Sequence, residues 1–86
     1  MPLISQFYGI SIIMYYNDHS PPHFHAKYAE FEALINMYTL QMIEGNLPLR
    51  ALRIVQIWAE QHQNELLENW DLIVHHKQPL TITPLQ

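Results

Sequence analysis

Three of the six histidines fall within seven positions, 19–25, beside Asp18 and a Pro21-Pro22 pair. The full run is Tyr15-Tyr16-Asn17-Asp18-His19-Ser20-Pro21-Pro22-His23-Phe24-His25-Ala26. Imidazole and carboxylate are the ligands that borderline divalent ions prefer, and both move protons near neutral pH. His23 and His25 are two apart, so on a strand they point to the same face. Their Cα atoms would then lie about 6.5–7 Å apart. Two rings at that spacing can converge on one ion. Asp18 or His19, carried back by the turn, supplies a third ligand. His62 supplies a fourth if its helix packs over that face. Such a set suits zinc or another divalent metal and leaves a position for water. Without metal, Asp18 would orient a histidine acting as general base.

The plainer alternatives stand beside this. A His-Phe-His strand can present its imidazoles to solvent while Phe24 enters the core. His62 on an apolar stripe can be a hydrogen-bonded core residue. His75-His76 reads as an exposed helix end that helps satisfy terminal carbonyls. Other catalytic signatures are missing from the sequence. Ser5 and Ser20 lack a strand-turn-helix elbow. There is no Gly-rich phosphate loop and no His-Glu-x-x-His.

The elements that must position the cluster follow from periodicity. Residues 7–16 are β-branched and aromatic and predict a strand, apolar on both faces and hence internal. Asn17 to Pro22 is a turn by composition. His23–Tyr28 predicts a second strand, Ala29-Glu30 a tight connection and Phe31–Tyr38 a third strand. Thr39–Ile43 is a short fourth. Glu44-Gly45-Asn46 closes the β half, with Asn46 as N-cap and Pro48 in the first helical turn. Leu52, Val55, Ala59, His62, Leu66, Trp70 and Ile73 then recur at spacings of three and four, the mark of an amphipathic helix. A straight helix over 48–76 would be about 43 Å long. A compact chain of this size is roughly 30 Å across, so a break is expected near Gln61–Asn64, with Asn64 as cap. The tail 78–85 is extended, with Leu80 and Ile82 alternating with threonines, and suits a sheet edge. Trp58 and Trp70 are expected in the core. Some of the five tyrosines are expected at an interface.

Bulk properties narrow the classes. The 86 residues predict a single domain, 1–86. The net charge is −4, from four Lys+Arg against eight Asp+Glu. Lys27, Arg50, Arg53 and Lys77 are too few for a phosphate-tracking surface, so direct nucleic-acid binding is not expected. Arg50 and Arg53 lie one helical turn apart and form a small patch. With no cysteine, disulfides and thiolate metal sites are excluded. No basic, apolar leader and no membrane span is legible, which makes the cytoplasm the expected location.

Several runs carry a family resemblance. They are Pro2-Leu3-Ile4-Ser5-Gln6-Phe7-Tyr8-Gly9, Met14 to Ala26, Leu47-Pro48-Leu49-Arg50-Ala51-Leu52, Trp58-Ala59 and Glu65-Leu66-Leu67-Glu68-Asn69-Trp70. Over nearly its whole length the chain resembles the bacterial family known as domain of unknown function 4160, with Pro-Pro-His-Phe-His-Ala the most specific part. His75-His76 departs from the family pattern. The resemblance implies a single-domain cytosolic bacterial protein. It also implies one half of a two-gene, toxin–antitoxin-like module beside another small protein. It implies no reaction, ligand or metal.

The expected architecture is α+β. A small antiparallel sheet in the N-terminal half packs against one long or two consecutive helices in the C-terminal half. The expected function is a partner-binding, toxin-like protein that meets a small protein partner or forms a homo-oligomer. Asp18, His19, His23, His25, Arg50 and Arg53 would make its working surface. The alternatives are a metal-dependent hydrolase or nuclease built on His23 and His25, and a regulator that reaches nucleic acid through a partner, with Arg50 and Arg53 contributing.

Overall fold

The computed structural model describes residues 2–86. Five strands form one antiparallel sheet in the order β1 (Leu3–Phe7), β2 (Ile10–Ile13), β3 (His23–Tyr28), β4 (Phe31–Asn36) and β5 (Met42–Gly45). Two helices follow, α1 (Leu49–Gln61) and α2 (Gln63–Val74). The α+β architecture read from the sequence is the one observed.

The strand expected over 7–16 is instead a hairpin. Tyr8 and Gly9 both hold positive φ, at 50° and 78°, and Phe7 pairs with Ile10. Two residues of positive φ are what the tightest hairpin turn requires. β2 is nonetheless internal, as its two apolar faces suggested, lying between β1 and β3. β3 and β4 pair from Tyr28↔Phe31 to His23↔Asn36, closed by Ala29-Glu30. Ala29 takes a φ of 52° without being Gly or Asn. The short strand expected over 39–43 begins three residues later, at Met42. It starts late because Asn36 Oδ1 accepts from the N–H groups of Tyr38 and Thr39, which holds 37–39 in a turn.

One face of the sheet carries Ile10, Ile12, Phe24, Ala26, Ala33 and Ile35, all buried. The helices cover this face. Trp58 lies between Phe7 and Phe24, with ring centroids 5.2 and 6.0 Å away, and its indole N–H donates to Thr83 O at 2.8 Å. Burying so large a ring stabilises the layers by several kcal/mol, of order 3–5 by the cost of truncating such a residue. The helical stretch breaks at His62, which ends α1 and begins α2 with φ −125°. This is the break expected near 61–64, but its cap is His62 and not Asn64. Gln63 Nε2 reaches back to donate to Met37 O at 2.7 Å, tying the break to the β4–β5 turn. Asn46 is likewise not the cap of α1. Pro48 takes that position, and the Asn46 N–H donates to Glu32 O at 3.0 Å.

The tail runs extended beside β1, where Ile82 N–H donates to Ile4 O at 2.9 Å. Asn69, almost fully buried, holds it through both amide atoms, donating to Leu80 O at 2.8 Å and accepting from Leu80 N–H at 2.9 Å. Among the described residues no helix is long and apolar enough to cross a membrane.

Candidate metal centre

Because strand side chains alternate, Phe24 and Ala26 enter the core while His23 and His25 point to the opposite face. The turn before β3 then brings Asp18 back over that face. Asp18 Oδ2 lies 3.2 Å from His23 Nε2 and 3.0 Å from His25 Nε2. One donor atom from each of Asp18, His23 and His25 lies within 4.8 Å of the others. An ion bound tetrahedrally at ordinary zinc distances, about 2.0–2.2 Å, holds neighbouring donors roughly 3.3–3.6 Å apart. The two N–O separations, 3.2 and 3.0 Å, are a few tenths of an ångström shorter, so seating zinc would spread the three side chains slightly.

The other nitrogen of each ring is committed. His23 Nδ1 is 2.8 Å from Pro21 O, a carbonyl that can only accept, so Nδ1 carries a proton and donates. His25 Nδ1 is 3.1 Å from Glu32 Oε2, again an acceptor when ionised. The neutral His23 ring therefore presents a lone pair at Nε2; His25 has a carboxylate oxygen at each ring nitrogen, and in its Nδ1-protonated tautomer its Nε2 presents a lone pair as well. In that tautomer three acceptors converge on one point and need positive charge between them, as ring protons or as a cation. His25 Nε2 has hydrogen-bond geometry to Asp18. His23 Nε2 does not: although 3.2 Å from Asp18 Oδ2, it is buried without a hydrogen-bond partner in the protein. The short distance alone makes no bond there, because a hydrogen bond depends steeply on angle.

Aromatic rings hold the imidazoles. The Tyr15 ring meets His25 edge-on at 4.5 Å, and Trp70 lies 5.3 Å from His23. The His23 side chain is 6% exposed, His25 12% and Asp18 22%, so the cluster opens outward through the turn.

Not every residue expected here arrives. His19 is exposed and stands outside the set of donors. His62, expected as a fourth ligand, also stands outside it: its Nδ1 pairs with Glu65 Oε1 at 2.6 Å and its ring packs on Trp58. His62 packs on Trp58 toward the core, and the member of its stripe that comes near His23 is Trp70, further along α2. Arg50 and Arg53 are exposed on α1. His75 is exposed at the end of α2 with Nδ1 2.8 Å from Asp71 O, as expected of a helix terminus.

Glu32, Tyr15 and Trp70 were not singled out as site residues. Glu32 was within reach of sequence reasoning. A two-residue turn at 29–30 pairs Lys27 with Glu32 and His25 with Leu34, which makes Glu32 the diagonal neighbour of His25. A carboxylate behind a ligating imidazole fixes its orientation and raises its basicity. Replacing Glu32 by Ala should therefore weaken zinc binding roughly 10- to 100-fold while the fold persists. Competition titration against a chromogenic chelator measures this, and unchanged affinity would remove Glu32 from the site.

The cleft lined by Tyr8, Ile10, Tyr28 and Arg50, about 410 Å³, is elsewhere. Tyr28 ends β3, roughly 17 Å from His23 along the strand. Its lining carries no His, Cys, Asp or Glu.

A five-stranded antiparallel sheet, a broken helix and a turn-and-strand His/Asp cluster define a small α+β protein with a candidate cation site. The chain belongs to the family described as Domain of unknown function (DUF4160), whose model matches residues 9–71. The matched span contains the whole cluster, Glu32 and Trp70. No curated protein and no solved structure matches the chain.

Proposed function

We propose that Asp18, His23 and His25 hold a divalent cation, zinc by preference, and that the chain is a metal-dependent hydrolase. The observation that carries this is the buried Nε2 of His23, which has no hydrogen-bond partner and faces Asp18 beside His25 Nε2. Three protein ligands with a remaining position for water is the pattern of catalytic zinc sites. Zinc supplies Lewis acidity and lowers the pKa of a coordinated water to about 7. Asp18 contributes the one negative charge among the ligands. Pro21 O keeps His23 in the tautomer that ligates, and Glu32 accepts from His25 Nδ1 once His25 Nε2 is given to the ion. Hydrolysis adds water across the substrate bond and leaves its proton on the departing group. The net charge of −4 argues against a nucleic-acid substrate.

The test is elemental analysis of untagged protein purified without chelator, beside the His23→Ala/His25→Ala double variant. The expected result is about one ion per chain, as one site requires, lost in the variant. Protein that stays metal-free after zinc or manganese is added back defeats the reading.

A second reading is a partner-binding, toxin-like half of a two-protein module, as the family resemblance implies. It is supported by the cleft between Tyr8 and Tyr28, since tyrosine-walled pockets suit an anchoring side chain. Co-purification with the product of a neighbouring gene, without turnover by either protein, would favour it over the first.

A further inference from the structure

Arg50 and Arg53 on the outer face of α1 and Glu68 and Asp71 on that of α2 are opposite charges at matching intervals. On α1 the buried residues are Ala51, Val55, Trp58 and Ala59. At about 100° per residue, Leu49, Arg50, Arg53 and Ile57 fall on the opposite side. All four are exposed, Leu49 by 64% and Ile57 by 53%. On α2 the buried residues are Leu66, Asn69 and Ile73. Opposite them lie Asn64, Glu68 and Asp71, flanked by the half-buried Leu67 and Leu72. These α2 residues line an open groove completed by Leu80 of the tail. Among the described residues Arg50, Arg53 and Glu68 have no ion-pair partner, and Asp71 has only an exposed contact to His75 at 3.6 Å.

We propose that two copies of the chain form a two-fold dimer in which α1 of each lies antiparallel along α2 of the other. The two arginines and the two carboxylates share the same three-residue interval. In the antiparallel register Leu49 faces Leu72 of the second copy. Arg50 then faces its Asp71, Arg53 its Glu68, and Ile54 its Leu67. The midpoint of each of these pairs falls between Glu60 and Gln61, where the two-fold axis passes. A register with one common midpoint is what an isologous contact requires, since each pairing occurs twice. The break at His62 lies beside the axis, so each helix meets its counterpart separately.

The two kinds of residue do different work. Exposed ion pairs contribute only about 0.2–1 kcal/mol each. Association therefore rests on Leu49, Ile54, Leu67 and Leu72 leaving water. The charges choose the partner helix, because pairing α1 with α1 and α2 with α2 would set Arg50 and Arg53 against themselves and Glu68 and Asp71 likewise. A second copy is favoured over an unrelated partner because one chain carries both halves of the complement.

Sedimentation equilibrium of the full-length chain over a concentration series tests this. Wild type should reach twice the 10.2 kDa monomer mass. Arg53→Glu and Glu68→Arg each oppose like charges twice, and each should raise the dimer dissociation constant about tenfold or more, which corresponds to about 1.4 kcal/mol. The double variant restores both pairs in reverse and should return the constant toward wild type. Both positions are exposed, so the variants should fold, and circular dichroism checks this. Wild type that stays monomeric throughout overturns the proposal. So do single variants that dimerise normally, or a double variant that does not recover. None of these outcomes bears on metal binding at Asp18, His23 and His25.

Discussion

Zinc at about a hundred times its dissociation constant should stabilise the wild-type chain by about 2.7 kcal/mol and leave the His23→Ala variant unmoved. The size follows from linkage: a ligand that binds the folded chain and not the unfolded one adds stability by mass action. For a domain this small that corresponds to a rise in melting temperature of roughly 10–20 °C. Asp18 and His23 are separated by a turn, and only the folded turn sets Asp18 Oδ2 at 3.2 and 3.0 Å from the two Nε2 atoms. The unfolded chain keeps the His-x-His spacing but not this convergence, so its own affinity should be weak. Two variants separate the site from its surroundings. His62→Ala should keep the full zinc response, because His62 pairs with Glu65 away from the cluster. Asp18→Ala should lose most of it. Thermal melts with and without zinc, reversed by chelator, measure all of these. An equal response in wild type and His23→Ala would show that zinc binds elsewhere.

The cluster was legible because its geometry is local. A period of two on β3 and a Pro-containing turn suffice to place His23, His25 and Asp18 together. His62 was misplaced because a stripe position records only that a residue faces inward, not which part of the sheet it meets. Tyr15 and Trp70 reach the imidazoles from the chain before the turn and from α2, and no spacing rule links them to β3. The fold shows the same division. Alternation in 23–28 and 31–36 and the three-four repeat over 52–73 gave strands and helix directly. The hairpin at Tyr8-Gly9 was hidden because tyrosine stands where a tight turn usually carries Asn or Asp, so the apolar run read through it. The break at His62 was inferred from overall dimensions, and the radius of gyration of 11.5 Å agrees with the compactness assumed. The caps were misread at both helices. Pro48 and His62 occupy the cap positions without any side-chain cap bond, so no residue type could announce them.

Replacing Gly45 by Ala should cost roughly 3–5 kcal/mol, a large part of the stability of an 86-residue chain. Two effects add. Gly45 holds φ at 86°, a conformation that side chains other than glycine strain to adopt. A Cβ there would also lie 2.2 Å from Glu32 O and 2.9 Å from Ala33 Cα. Both are backbone atoms of β4, so no side chain can swing aside, and β5 must lift from its neighbour. Gly9 separates the two effects. Its φ of 78° is comparable, but a Cβ there meets nothing nearer than the Tyr28 ring at 3.5 Å. Gly9→Ala should therefore carry only the conformational cost, about 1–3 kcal/mol. Urea unfolding of the two variants tests the difference, and equal midpoints would mean that β5 yields without cost. The damage should reach the metal centre too. Glu32, whose carbonyl a Gly45 side chain would strike, holds His25 at 3.1 Å. Displacing that backbone moves the carboxylate that orients the ring, so residual folded Gly45→Ala should bind zinc more weakly than Gly9→Ala.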